Sequence, residues 1–161
     1  MINIVKKHWL GFLLSIVWAQ AVGIASSILS GDVVTKYNHY IKPALAAPDW
    51  LFGLAWPILY TLMGFSAYLF YLRTPETSLR RKGVLLYLVQ LFFNFLWSII
   101  FFRYDMILMA LLVSITLVIT VSYMLIVFDR QDRVASHLVM PYFAWLLYAT
   151  YLNYGIFILN H

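Results

Sequence analysis

Five apolar stretches run through this sequence, each long enough to cross a bilayer and each free of Asp, Glu, Lys, Arg and His. All seventeen formal charges fall between the stretches or at their ends. A charged side chain at the centre of a bilayer costs roughly 2.5–3.5 kcal/mol on insertion scales, so such groups persist there mainly where ions or protons move. Their absence argues against a pump, a voltage sensor or a proton relay. What remains inside the membrane is aromatic surface, a few amides and small residues, the chemistry of a pocket for a flat, hydrophobic ligand.

The chain has 161 residues, 64% of them hydrophobic, and a mean hydropathy of +0.86. A soluble domain sits nearer 45–50% apolar, and a spanning helix needs about 20 apolar residues. Five spans nearly use up the length and leave no room for a soluble domain. Only helices or closed barrels satisfy the backbone in lipid, and runs this long are not barrel strands. The fold class is therefore an all-α integral membrane protein, one five-transmembrane-helix bundle with spans at 9–29, 50–72, 83–102, 106–128 and 138–159. Lys6-Lys7 before an apolar run resembles a signal peptide, but Trp9 to Leu29 is of full spanning length and reads as a retained helix. There is no cysteine, which excludes disulfides, thiolate catalysis and Cys-based zinc sites. The net charge of +5 comes from juxtamembrane clusters such as Arg80-Arg81-Lys82, which suit membrane lipid headgroups rather than nucleic acid.

The connections carry their own signals. Only Arg103-Tyr104-Asp105 joins the third and fourth spans, which makes them antiparallel neighbours. The first loop, 30–49, is the only long one, with Tyr37, Tyr40, Pro43, Leu45 and Pro48 leading to Trp50; a long ordered loop beside a bundle is a candidate lid. Eight Lys and Arg lie on the side of the N-terminus and three on the other, so the N-terminus is expected in the cytoplasm, with the first loop and C-terminus outside.

Along the first span Gly11, Ser15, Ala19, Gly23 and Ser27 recur every four residues. Small residues at that spacing let two membrane helices approach closely, either within one bundle or across a dimer seam. Pro57 lies well inside the second span and is expected to bend it by freeing the carbonyl of Gly53. Pro141 is expected in the first turn of the fifth span, where a missing donor costs little.

Three helix faces can line one pocket: Phe52, Trp56 and Tyr60; Gln90, Asn94, Trp97 and Phe101; and Pro141, Trp145, Ala149 and Asn153. Each combines large aromatics with a polar or small member, as ligand cavities between helices do. The same rows also read as packed aromatics whose amides bond neighbouring backbones, since an unsatisfied amide in lipid is expensive. Trp9, Trp50 and Tyr71 read as the interfacial aromatic belt. His8, His39, His137 and His161 lie scattered at membrane edges without ligand spacing, so no metal site is assigned; an axial haem ligand from His39 or His137 is conceivable on chemistry alone. No nucleophile–base pair or carboxylate pair falls within the spans. Leu69, Tyr71 and Arg73 satisfy the loose cholesterol-motif pattern.

Taken together, Lys42-Pro43 through Trp50, Phe52, Gly53, Trp56, Leu59 and Tyr60, then Gln90-Leu91, Asn94, Trp97-Ser98 and Phe101-Phe102, then Pro141-Tyr142, Trp145 and Ala149 to Asn153 resemble the translocator protein family, also called TspO/MBR or peripheral benzodiazepine receptor-like. The resemblance covers nearly the whole chain and is that of a bacterial-type member, expected in a cell membrane. It implies a five-helix bundle, often a homodimer, with a pocket closed by the first loop. The implied ligands are porphyrins and haem-related tetrapyrroles, isoquinoline or benzodiazepine-type molecules and, in animals, cholesterol; no cofactor is required. By motif the pocket includes Tyr37, Trp56, Tyr60, Asn94, Trp97, Trp145 and Ala149. The family's association with light-dependent porphyrin breakdown gives Trp56 and Trp145 a photochemical role, since an indole beside a photoexcited porphyrin can donate an electron.

The departures lie in the loop. Where the family pattern reads Lys-Pro-x-Trp-x-Pro-Pro, this chain has Lys42-Pro43-Ala44-Leu45-Ala46-Ala47-Pro48, and Lys36 stands where an aromatic often precedes Tyr37. A looser lid or a different ligand preference follows. Two functional classes emerge: a tetrapyrrole-binding sensor, scavenger or photodegradation protein, and a transporter of small hydrophobic molecules. Five helices without a detectable inverted repeat favour the binder.

Overall fold

The computed structural model describes residues 2–75 and 77–160; His161, one of the four histidines above, lies outside them. A short helix α1 (Ile2–Lys7) leads into α2 (Trp9–Ser30), and α3 (Val33–His39) interrupts the first loop. Four long helices follow: α4 (Asp49–Arg73), α5 (Ser78–Ser98), α6 (Ile107–Asp129) and α7 (Arg133–Leu159). A π-helical turn, Ile99–Arg103, extends α5. Five of these helices are long and apolar enough to cross a membrane. They close into a ring in the spatial order α2, α4, α7, α6, α5, with α5 and α6 adjacent as their short connection demands.

Helices α5 and α7 each start five residues before their apolar runs. Asp132 caps α7 by accepting from the backbone N–H groups of Val134 (2.9 Å) and Ala135 (3.3 Å). It also accepts from Arg73 of α4 at 2.9 Å. The helix therefore begins at Arg133, and Pro141 lies in its third turn rather than its first. Likewise α5 begins at Ser78 and carries Arg80-Arg81-Lys82 within it, not before it. Hydropathy marks only the lipid-immersed part of a helix, and polar turns can extend it into the headgroup zone.

Most of the small-residue stripe of α2 packs within the chain. Ser15 Oγ donates to the Gly64 carbonyl of α4 at 2.8 Å, and Ala19 is fully buried. A Cβ on Gly11 would lie 2.0 Å from the Tyr68 hydroxyl, and one on Gly23 would lie 2.3 Å from the Tyr60 ring. Gly11, Ser15 and Gly23 thus seat α2 on α4, while Ser27, the fifth member of the stripe, is exposed and lines the cavity described below. The two backbones meet at Gly64, where a Cβ would come within 2.7 Å of the Ser15 carbonyl oxygen and 2.8 Å of Ile16 Cα. Backbone cannot yield as a side chain can, so Gly64→Leu is expected to destabilise the bundle by about 1–3 kcal/mol. A lowered thermal midpoint in detergent checks this; an unchanged midpoint would mean that the two backbones are not in contact.

The main core fills the half of the bundle away from the first loop, with Met63, Leu69, Phe70, Met124, Phe128 and Tyr142 buried in it. Phe70 and Phe128 stack with ring centroids 4.1 Å apart. A smaller cluster of Tyr37, Phe101, Phe102, Ile107, Ala110 and Ile156 sits at the loop end. Leu69 faces the core, Arg73 is engaged by Asp132, and only Tyr71 of that sequence motif faces outward. The three do not form one sterol-facing surface.

Candidate functional site

Between the two clusters the loop half of the bundle holds a cavity of about 620 Å³, within the roughly 300–1,000 Å³ span of small-molecule pockets. Large aromatics stand on its wall because α4 turns Phe52, Trp56 and Tyr60, spaced by four, inward and α7 adds Trp145 with Ala149 one turn on. Trp56 packs against Tyr60 one turn away, at 5.5 Å, and meets Trp145 of α7 edge-on at 6.5 Å. Phe52 bridges Trp145 (5.8 Å) and Tyr37 (5.0 Å). Ala149, one turn beyond Trp145, keeps the space beside that indole open.

The polar groups of the wall and floor are fixed by hydrogen bonds. Tyr60 donates its hydroxyl to Asn94 Oδ1 at 2.6 Å, and Asn94 Nδ2 donates to the Tyr142 hydroxyl at 2.9 Å. This buried relay joins α4, α5 and α7 under the cavity. Trp97 Nε1 donates to Asn153 Oδ1 at 3.1 Å, and Asn153 Nδ2 donates to the Ile107 carbonyl at 3.1 Å. Most of the amides thus serve as braces that hold the aromatic wall in place. Trp145 Nε1 differs: it is buried and has no hydrogen-bond partner. A buried donor left unpaired costs about 1–3 kcal/mol, so an acceptor brought in by a ligand would recover that cost.

All seven residues assigned to the pocket from sequence line this one cavity: Tyr37, Trp56, Tyr60, Asn94, Trp97, Trp145 and Ala149. The other members of the helical rows stand behind the wall. Asn153 braces Trp97, and Phe101 stacks on Trp97 at 5.4 Å. Gln90 is buried beside Met63, with its Oε1 unpartnered. Of the four lid residues only Trp50 lines the cavity. Pro43 packs at Gly155 of α7, Leu45 points outward at 84% exposure with φ +63°, and Pro48 precedes α4 as its N-cap. The roof is instead α3, through Val33, Val34 and Tyr37. His39 and His137 are exposed and do not line the cavity.

Nor is the loop slack. Tyr37 donates to the Ala47 carbonyl at 2.8 Å, and Asn38 Nδ2 donates to Asp49 at 2.8 Å. Tyr148 and Tyr151 of α7 donate to the carbonyls of Leu45 (2.8 Å) and Ala44 (2.5 Å). Asn160 both donates to and accepts from the Ile41 backbone, each at 3.0 Å. Tyr40 donates to Asp105, across the gap to the connection before α6. Its hydroxyl pKa is raised, first by burial and then by that carboxylate, and burial also raises that of Tyr37. Both phenols stay protonated donors at neutral pH. The α7 tyrosines thus hold backbone carbonyls in the same stretch that lacks the family's loop Trp and second Pro.

Several wall residues escaped the sequence reading. Gln20, Gly23, Ile24, Ser26 and Ser27 of α2, Gly53 and Pro57 of α4, and Phe102 of the π turn all line the cavity. A signal existed for four of them: Gly23 and Ser27 belong to the small-residue stripe, and Gly53 and Phe102 stand in the motifs that carry the family resemblance. The π turn had none: its i→i+5 bond from Tyr104 N–H to the Ile99 carbonyl (3.2 Å) shifts the register so that Phe102 reaches the wall.

Comparison with known proteins gives the same family as the motifs. The model of the TspO/MBR family matches residues 15–159. A tryptophan-rich protein TspO of Archaeoglobus fulgidus is 38% identical over 147 residues, covering 91% of this chain and 94% of the relative. A protein of the same name from Chlorobaculum tepidum is 32% identical over 96% of this chain and 99% of its own length. The human translocator protein is 30% identical over 89% and 92% respectively.

Proposed function

The chain belongs to the TspO/MBR family, and from that premise we propose that its cavity is a membrane-embedded receptor site for porphyrins, haem-related tetrapyrroles and other flat hydrophobic molecules such as isoquinolines. The observation that carries this reading is the pair of indoles, Trp56 and Trp145, set edge-on at 6.5 Å on the wall of a cavity of about 620 Å³. A planar π-system gains from offset or edge contact with such rings, while the braced amides give the wall a fixed shape. Porphyrin or haem is the ligand under this reading, and no resident cofactor is required.

A binder accords better with the packing than a transporter does. Beyond Tyr60 and Asn94 the described residues Met63, Leu69, Phe70 and Tyr142 pack as buried core between the cavity and the opposite end. Titration of purified protein with protoporphyrin IX, in the dark and then illuminated, tests both binding and turnover. Saturable binding in the dark is expected, and its absence would overturn the reading. Trp56→Phe and Trp145→Phe are expected to retain binding but to slow light-dependent porphyrin loss, if those indoles supply the electron; full retention of the photochemistry would remove them from that role.

The proposal extends to orientation and assembly. The end bearing Lys6, Lys7, Arg80, Arg81 and Lys82 faces the cytoplasm, so a reporter fused after the last residue is expected to give an external signal. A homodimer, as the family resemblance implies, would use a face other than the Gly11–Gly23 stripe.

A further inference from the structure

The cavity is floored by the core and roofed by a loop tied to the bundle, and along one flank it meets a seam between helices. At the roof, the hydrogen bonds that tie the loop to the rest of the bundle, from Tyr148, Tyr151 and Asn160 to residues 41–45 and from Tyr40 to Asp105, would have to break before the loop could lift. Below, the core is solid. Between α2 and α4 the arrangement changes along the helices. At Ser15 and Gly64 they touch through backbone. Towards the loop they part, and a Cβ placed on Gly53 would meet nothing within 4 Å. Ile24, Ser27, Gly53 and Pro57 line the cavity and are exposed at the same time. From them the wall passes directly into the outward surface of Trp50, Leu54 and Ile58, whose side chains are 51–65% exposed. One polar bridge crosses this seam: Gln20 Nε2 donates to the Pro57 carbonyl at 2.7 Å and to Thr61 Oγ1 at 3.0 Å.

We propose that the α2–α4 seam is a lateral portal through which an apolar planar ligand enters the cavity from the bilayer rather than from water, with the Gln20 bridge as its latch. The inference rests on the cavity being a receptor site for such a ligand. A flat hydrophobic molecule concentrates in lipid, and passage from lipid to an aromatic wall never exposes it to water. The route costs one side-chain bridge instead of the whole set of loop bonds. Helix α4 is also best able to yield here: Pro57 has no N–H for the Gly53 carbonyl, so the helix lacks one rung at the height of the opening.

The chain has no cysteine, which makes thiol cross-linking clean. The double variant Ile24→Cys with Gly53→Cys can be joined across the seam by a short reducible bis-thiosulfonate, and Ile41→Cys with Asn160→Cys joined likewise at the loop. The probe is protoporphyrin IX delivered in phosphatidylcholine vesicles to reconstituted protein, with entry followed by quenching of tryptophan fluorescence. The seam link is expected to slow entry at least tenfold relative to the same variant before linking, with recovery on reduction. The loop link should change entry less than twofold. Gln20→Leu, which removes the latch without adding a link, should speed entry about threefold. Unchanged entry after seam linking, or entry slowed by the loop link alone, overturns the portal. Equilibrium titration of the unmodified protein reads the pocket separately. Absence of saturable binding there overturns the receptor reading and the portal with it, whereas normal affinity with entry indifferent to the seam overturns the portal alone.

Discussion

Trp145→Ala is expected to weaken protoporphyrin binding about tenfold or more in equilibrium titration. The indole meets Phe52, Trp56 and Tyr148 at 5.8, 6.5 and 5.6 Å, so its loss removes a stacking surface and also loosens the corner that holds Trp56. Each aromatic pair contributes about 0.5–1.5 kcal/mol beyond area burial, and 1.4 kcal/mol is tenfold in affinity. Trp56→Ala should act in the same direction, and Ala149→Leu should weaken binding by filling the space beside the Trp145 ring. Trp9, 60% exposed on α2 outside the cavity, serves as the control, and Trp9→Ala should leave affinity unchanged. Wild-type affinity in the Trp56 and Trp145 variants together with a loss in Trp9→Ala would place the ligand on the lipid-facing surface instead.

The largest effect on stability is expected at the opposite end, from Asp132→Ala. One carboxylate there caps α7 through two backbone N–H groups and accepts from Arg73 of α4 at 2.9 Å. Loss of a helix cap costs about 0.5–2 kcal/mol, and a partly buried guanidinium left without its partner adds to it. A total of about 2–3 kcal/mol is expected, read as a lowered unfolding midpoint in detergent. Asp132→Asn should lose less, because its side-chain oxygen can still cap the helix while the ion pair is gone. Equal losses in the two variants would mean that the cap carries none of the effect.

The contrast between these two sites shows what a sequence of this kind discloses. Aromatic rows with a four-residue spacing, combined with family resemblance, brought seven dispersed residues to one cavity, because a membrane helix keeps its phase over its whole length. Asp132 was passed over for a physical reason: hydropathy sees the lipid-immersed part of a helix, and the cap lies a turn and a half outside it. The roof lies within the first loop as its length suggests, but the helix that forms it is not legible, because α3 is too short and too polar to register as an apolar run, although Asp32 accepting from the Thr35 N–H at 3.1 Å gives it an ordinary N-cap. The α2 wall was half legible. Gly11 and Gly23 announced a close neighbour, but spacing alone could not say that the neighbour was α4, nor that the seam would open before its end.

The wide turn at Ile99–Arg103 has a consequence for the lineage of this site. A π turn holds one residue more than the α-helical turn it replaces, so here it behaves as a single-residue insertion retained inside a helix. Phe101 and Phe102 are chemically identical, yet the insertion gives them different fates, one packed behind Trp97 and the other on the cavity wall. A homologue one residue shorter at this turn would keep every aromatic of the motif and still present a different one to the ligand. Chain length at this turn, which composition does not record, can therefore diverge between relatives and alter what they bind while every motif still matches.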